Sequence, residues 1–257
     1  MSWCVRSFRS LASGAEVHVH LTPCIVATPP RPPAARGEDC CAASHGLVVP
    51  ANERLAGARF DTSQVHAAGF AEGVIYPEQT VDGRVHELCG ASLALLLQGM
   101  SCEVGAAVST DCVGPLRGNY GALVHTVAPH WGRTTAEEWE GALQQCYRRS
   151  FEAAESSGCN TLAFPLLGAG ARAAPAADAT RVAAQSAADW AFGMQRRRDS
   201  QGAGLSSFGI PKTAENFPGS VLHTLHWGLQ DDDLADLLAD SIASHADFET
   251  FCVYVQQ

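Results

Sequence analysis

A glycine-rich turn between a predicted strand and a predicted helix is the first candidate for chemistry in this 257-residue chain. Residues 161–167 are mostly apolar, and an alanine-rich segment that is compatible with a helix begins near Pro175. The four residues between them are small: Gly168, Ala169, Gly170 and Ala171. A turn of this kind presents backbone N–H groups and the positive end of a helix dipole to an anion, and a side chain there would obstruct a phosphate. Such turns are common in α/β domains, so a phosphate site requires matching residues elsewhere in the chain.

Asn52 is the first of these matching residues. It follows a short apolar strand predicted over residues 46–49, and in open α/β sheets ligands bind at the carboxyl ends of the strands. A side-chain amide both donates and accepts, so Asn52 is suited to hold two hydroxyl groups of a ribose. The alternative is a turn-forming asparagine after Pro50, which local chemistry also favours.

Asp82 and His86 lie at the start of a helix predicted over residues 81–97. A carboxylate at Asp82 could polarise a water as a general base and stabilise developing positive charge. The alternative is an acidic residue that interacts only with the helix dipole. His86 follows one turn later on the same side of the helix, and it is either catalytic or satisfied within the packing.

The elements that must position these residues alternate along the chain. Strands are predicted at 16–21, 46–49, 105–109, 123–127, 161–167 and 221–228, and helices at 81–97, 134–156, 175–192 and 231–243. This alternation predicts an α/β domain with a mixed, largely parallel sheet and helices on both faces. We expect an N-terminal arm over 1–36 that includes possible first strands, one domain over 37–245, and a tail over 246–257. Within that domain we expect an insertion at about 58–80 and an exposed connector at about 193–218.

Composition limits the classes of function. A formal charge of −10, without a basic stripe, argues against a nucleic-acid polymer as partner, and no apolar run reaches membrane-spanning length. The ten cysteines form no CxxC pair and several lie in apolar runs, which indicates a reduced, intracellular protein of the cytoplasm or nucleus. The first fifteen residues have the composition of an organelle transit peptide or of an ordinary first strand. We expect no metal, no cofactor and a monomeric protein.

Five segments in one order resemble the macrodomain, an ADP-ribose-binding α/β family. They are VVPANERLAG (48–57), VDGRVHELCG (81–90), ALVHTVAPHW (122–131), CYRRSFEAA (146–154) and FPLLGAG (164–170). The resemblance is strongest to the MacroD-type hydrolases and implies a three-layer α/β/α fold. It implies a catalytic set of Asn52, Asp82 and His86. It also implies a ligand-binding set of Glu38, Asp39, Asn52, Gly57, Gly83, Gly168, Ala169, Gly170, Ala171 and Arg172.

In this resemblance, residues 168–171 wrap the diphosphate, and Arg172 either reaches the diphosphate or points to solvent. Glu38 or Asp39 would receive the adenine amino group. The chain departs from the family pattern at Val49, where relatives often carry an asparagine, and at Ala174, where they often carry an aromatic residue.

The resemblance implies a hydrolase that removes ADP-ribose from mono-ADP-ribosylated side chains or deacetylates O-acetyl-ADP-ribose. Its partners would be ADP-ribose or an ADP-ribosylated protein. The alternative is a module that reads ADP-ribose without turning it over. A zinc-dependent hydrolase or a structural domain unrelated to nucleotides is a third, more distant interpretation.

Overall fold

Eight strands form one mixed sheet in the computed structural model, which describes residues 3–29, 44–58, 80–202 and 222–253. The strands are β1 (Trp3–Ser10), β2 (Glu16–Leu21), β3 (His45–Pro50), β4 (Ala107–Asp111), β5 (Ala122–Thr126), β6 (Thr161–Phe164), β7 (Thr224–Leu229) and β8 (Phe248–Val253). Their order across the sheet is β4-β5-β3-β6-β7-β2-β1-β8. Strands β5, β3, β6, β7 and β2 run parallel to one another, so their carboxyl ends share one edge of the sheet. That edge is where open α/β sheets bind ligands.

Helices cover both faces of this sheet. They are α1 (Val81–Leu96), α2 (Ala136–Ser156), α3 (Ala176–Gly202) and α4 (Asp232–Ala243), and a short 3₁₀ turn spans Gly114–Gly118. On β3, Val48 belongs to the core under α2, α3 and α4, whereas Leu47 and Val49 belong to the core under α1. This division follows from the alternation of side chains along a strand. The three-layer α/β/α architecture predicted from the sequence is confirmed.

Capping residues explain where three of the helices begin. Thr80 accepts a hydrogen bond from the N–H of Gly83 at the start of α1, and Asp231 accepts one from Leu234 at the start of α4. Thr135 and Glu138 form a reciprocal capping box at the start of α2. Each cap satisfies N–H groups that the first turn of a helix leaves without a partner. The residue types therefore fix the first turn of α1, which places Asp82 and His86.

The connector predicted at 193–218 differs from the structure at its start. Helix α3 continues through Gly202, so the exposed connector predicted at 193–218 does not begin at residue 193. The helix continues because Met194 extends the buried stripe one turn beyond Trp190, and Arg197 pairs with Glu155 of α2. The rest of the predicted connector, from 203, lies outside the described residues, as do residues 59–79 of the predicted insertion.

The two ends of the described chain contribute strands to the sheet. Strand β1 pairs antiparallel with both β2 and β8, and Phe8 is fully buried beneath them. Strand β8 lies within the segment 246–257 that we predicted as a tail, because Phe248 packs into the main core. In the described part of the chain, no helix is long and apolar enough to span a membrane.

Candidate functional site

The loop between β6 and α3 presents a row of unused backbone donors. Gly168 has φ of +87°, a left-handed value that glycine adopts without strain, and the N–H of Ala174 donates to its carbonyl oxygen at 3.0 Å. Ala173 has φ of +60° and donates to the carbonyl of Gly170 at 2.8 Å, which tightens the loop. The N–H groups of residues 168–172 have no hydrogen-bond partner among the residues that the structure describes. Five consecutive free amides before a helix N-terminus have the geometry to bind an anion, and residues 168–172 are therefore the predicted anion-binding loop.

A cavity of about 660 Å³ lies on one side of this loop. It opens at the carboxyl ends of β2, β6 and β7, beside the first turns of α1 and α4. The lining residues are Pro23, Cys24, Ile25, Val26, Ala27, Thr80, Val81, Arg84, Pro165, Leu166, Ala169, Gly170, Gly228, Leu229, Gln230, Asp231 and Leu234. This volume is in the range of small-molecule sites in proteins, and the lining is mostly apolar with a few polar groups.

On the other side of the loop, Asn52 begins the segment that follows β3. Its side-chain oxygen accepts from the backbone N–H groups of Arg54 and Ala56 at 3.1 and 3.2 Å, and its Nδ2 donates to the carbonyl of Gly57 at 2.8 Å. The turn-forming role that the sequence left open is therefore present. One N–H of the amide has no partner among the described residues and remains available to a ligand. The ribose contact of Asn52 stays a prediction.

Asp82 occupies the second position of α1 and its side chain is only 5% exposed. Burial raises the pKa of this carboxyl to about 7, because an ionised carboxylate is penalised away from water. Its Oδ1 accepts no hydrogen bond from any residue that the structure describes, and it lies 3.5 Å from Nε2 of His86. At that distance the imidazole is close enough to orient a proton or a water, but it does not offset the effect of burial on the pKa of Asp82. A carboxyl that titrates near neutrality is suited to acid–base chemistry.

Gly57 joins Asn52 to this pair. It has φ of +78°, and a Cβ at this position would lie 2.9 Å from Cγ of His86. The His86 ring therefore packs directly on the Gly57 backbone, which leaves no room for a side chain. Gly83, predicted to bind ligand, is buried and uses its N–H in the cap with Thr80. The structure thus brings together Asn52, Gly57, Asp82 and His86, the residues predicted from two separate motifs.

Arg172 ties the anion-binding loop to its neighbours. Its Nη2 donates to the carbonyl of Ala51 at 3.4 Å, and its own carbonyl accepts from the N–H of Trp131 at 2.9 Å. The guanidinium is half-buried, and this burial lowers the pKa of Arg172. The loops that follow β3, β5 and β6 are therefore held together at the sheet edge, and Arg172 does not simply point to solvent.

Glu38 and Asp39 lie outside the described residues, so their predicted contact with adenine stays a prediction. Val49 and Ala174 are buried, as expected for residues without a polar contact. The cavity lining at 23–27 and 228–231 was not predicted from the sequence, and the available signal was its position at or just after the carboxyl ends of the parallel strands β2 and β7. Within the described ranges, no group of three or more His, Cys, Asp or Glu residues could hold a metal ion.

Comparisons with known proteins agree with this geometry. Residues 48–183, more than half of the chain, match the family model described as Macro domain. A macro domain-containing protein of Streptomyces coelicolor is 33% identical over 115 residues, which cover 42% of this chain and 65% of that protein. The O-acetyl-ADP-ribose deacetylase of Cronobacter turicensis is also 33% identical over 115 residues, covering 43% of this chain and 63% of that protein. The chain thus spans slightly less than two thirds of the length of these curated relatives.

Solved structures extend the fold comparison to almost the whole chain. A mutant of the Oceanobacillus iheyensis macrodomain, solved with ADPR, superposes with a TM-score of 0.58 at 17% identity. The match covers 95% of this chain and 97% of that one. At this identity the similarity establishes the fold, and the chemistry must be argued from the residues.

Proposed function

The chain belongs to the macro domain family, and from this premise we propose that it binds ADP-ribose along the carboxyl edge of its parallel strands. The free amides of residues 168–172 support this proposal most directly. They lie between the cavity on one side and Asn52 on the other. A ligand with a diphosphate at its centre could therefore place one end in the cavity and the other end at Asn52. Amides in place of lysines also explain how a chain with a net charge of −10 binds an anion.

We assign an end of the ligand to each side of the loop, and the order of the strands supports this assignment. The adenosine half occupies the cavity of about 660 Å³ beside β6, β7 and β2. The diphosphate accepts hydrogen bonds from the loop amides, and the distal ribose reaches β3, which is the neighbour of β6 on the opposite side. There the remaining N–H of Asn52 donates to a ribose hydroxyl.

We propose further that the protein hydrolyses esters of the distal ribose, such as O-acetyl-ADP-ribose or ADP-ribose attached to an acidic side chain. Ionised Asp82 takes a proton from a water whose oxygen attacks the acyl carbon, with His86 orienting the carboxyl. The bond between the acyl carbon and the ribose oxygen breaks, and that oxygen takes the proton from Asp82. The products are ADP-ribose and a carboxylic acid, which releases its proton to the solvent at neutral pH. The pKa of Asp82 at about 7 supports both steps, since the group gives and accepts a proton near neutral pH.

The test compares turnover by wild type, Asp82→Asn and Asp233→Asn on O-acetyl-ADP-ribose and on a glutamate-linked ADP-ribosyl protein. Asp233 is the matched control because it holds the second position of α4, as Asp82 does in α1, but is exposed. We expect Asp82→Asn to lose about 100-fold or more in kcat, the usual contribution of an acid–base group, while Asp233→Asn retains it. Equal rates for wild type and Asp82→Asn would reject the catalytic role.

A second candidate function is an ADP-ribose reader without turnover. Two observations favour it: the side chain of Asp82 is only 5% exposed, and the Asn52 oxygen is occupied by two N–H groups of its own loop. Calorimetric titration with ADP-ribose, performed beside the turnover assay, separates the two functions. Saturable binding without turnover selects the reader, and the absence of binding contradicts both.

A further inference from the structure

We propose that Arg172 and Arg133 form a cationic subsite beyond Asn52 that selects ADP-ribose conjugates attached within an acidic peptide. The inference rests on the proposed function, because it concerns what is linked to the distal ribose. It names a class of substrate for the same site: a protein segment with carboxylates next to its modified residue.

The first argument is the direction of the Arg172 side chain. Arg172 is the last of the loop residues with a free amide, yet it is not among the residues that line the cavity. Its guanidinium instead contacts the carbonyl oxygen of Ala51, the residue before Asn52, at the carboxyl end of β3. The charge therefore lies at the end of the site that receives the distal ribose, and not at the adenosine end.

The second argument is the unused bonding capacity of this guanidinium. An arginine offers five N–H donors, and Arg172 makes one long side-chain hydrogen bond of 3.4 Å. It forms no ion pair with any carboxylate in the described part of the chain. The group is half-buried, and the lowered pKa of Arg172 reflects the loss of water around it. A partly desolvated guanidinium with free donors binds a carboxylate strongly and in a defined geometry.

The third argument is the second cation beside it. The N–H of Trp131 donates to the carbonyl of Arg172, which brings the loop after β5 against the loop after β6. Arg133 follows Trp131 by two residues, so this hydrogen bond brings the backbone of Arg133 toward Arg172. Burial lowers the pKa of His130 in the same loop, and the charges of Arg172 and Arg133 act in the same direction. The positive charge of the subsite comes from the two arginines. Arg133 is exposed and so is reachable by a peptide.

The charge of the remaining protein makes this subsite selective. With a net charge of −10, the chain as a whole repels an acidic segment. Glu53, in the loop after β3, is a carboxylate whose charge acts on Arg172, but the two side chains form no ion pair in the described part of the chain, so the guanidinium donors stay available to a ligand. An acidic peptide is therefore accepted in one orientation, with its carboxylates at the distal end of the site. This recognition supplies specificity more than raw affinity.

The experiment measures binding of free ADP-ribose and of two ADP-ribosyl peptides that share a non-hydrolysable linkage. One peptide has acidic residues next to the attachment point, and the other has neutral residues. The proteins are wild type, Arg172→Gln, Arg133→Gln and the control Arg148→Gln, which removes the same charge from the exposed side of α2. Arg133→Gln leaves the anion-binding loop intact, so it tests the subsite even where Arg172→Gln disturbs that loop.

We expect wild type to prefer the acidic peptide, and we expect either subsite variant to lower that preference by about fivefold. The preference should weaken with rising salt. Arg148→Gln should keep the preference of wild type, and Arg133→Gln should bind free ADP-ribose as tightly as wild type does. Equal affinity of wild type for both peptides, with free ADP-ribose still bound, overturns the inference and leaves the proposed function intact. An equal loss for all three ligands in Arg172→Gln, without an effect of Arg133→Gln, makes Arg172 a diphosphate contact and also overturns it. No binding of free ADP-ribose by wild type overturns the proposed function itself.

Discussion

The substitution Asp82→Asn should remove a large pH dependence of folding stability between about pH 4 and pH 7. Burial raises the pKa of Asp82 from an ordinary 3.8 to about 7, so in this interval the folded protein holds a proton that the unfolded chain has released. A group that binds its proton more tightly in the folded state stabilises the protein at low pH. This stability is lost as the pH rises through the folded pKa.

The magnitude follows from the size of the shift. A difference of about three pKa units corresponds to about 4 kcal/mol in the free energy of unfolding, because each unit is worth about 1.4 kcal/mol. This value is the upper end, since a protonated His86 with Nε2 at 3.5 Å would stabilise the carboxylate and lower the pKa of Asp82. Wild type should therefore lose up to about 4 kcal/mol relative to Asp82→Asn between pH 4 and pH 8.

Urea unfolding at closely spaced pH values from 4 to 8.5 measures this difference directly. The quantity to plot is the free energy of unfolding of wild type minus that of Asp82→Asn, because the titrating groups that do not interact with Asp82 cancel. A constant effect of the amide on packing displaces the plot without changing its slope. Asp233→Asn, at the matching exposed position of α4, should give a flat plot. A flat plot for Asp82→Asn as well would refute a buried, neutral-pH carboxyl at this position.

Three further predictions concern the site. If ionised Asp82 is the base, kcat/KM should rise with pH through about 7, and a profile without that inflection would contradict this role. Gly57→Ala should destabilise the protein by about 1–3 kcal/mol more than Gly99→Ala. Both glycines have φ near +79°, but an added Cβ would meet His86 only at Gly57. Equal shifts of the melting temperature for the two variants would contradict this contact. Gly170→Asp should abolish ADP-ribose binding by repelling the diphosphate, whereas the Cβ of Gly170→Ala meets no protein atom within 4 Å, so this variant should keep the fold of the loop and bind more strongly than Gly170→Asp. Calorimetry on both variants checks this, and binding by Gly170→Asp would place the diphosphate elsewhere.

The central layers of the fold can be predicted from the sequence, because the buried strands and the capped helices each have a recognisable local sequence pattern. The apolar runs before Asn52 and before Gly168 lie in β3 and β6, and Thr135 with Glu138 marks the start of α2. The edge of the sheet could not be predicted in this way. Strand β8 forms because it meets β1 from the opposite end of the chain, and such pairing leaves little trace in a short, partly polar segment.

The candidate site shows the same division between local and long-range information. Residue type and spacing place Asp82 and His86 one turn apart on a helix, and this is observed. The raised pKa of Asp82 depends on burial by residues distant in the sequence, which local spacing does not contain. For Asn52, local chemistry favours both a turn and a ligand contact, and only the hydrogen bonds to Arg54 and Ala56 reveal that the turn is formed.

The cavity beside β2 and β7 also contains a thiol. Cys24 lines it and is only partly buried, and among the described cysteines Cys252 is the one other that is not buried. Desolvation raises the pKa of the buried thiols of Cys112, Cys146 and Cys159, which keeps them in their unreactive protonated form. A small thiol-directed label could therefore be attached at Cys24, inside the cavity that we propose for adenosine. If the proposed nucleotide occupies this cavity, the chain offers a covalent reporter of its binding without the introduction of a new residue.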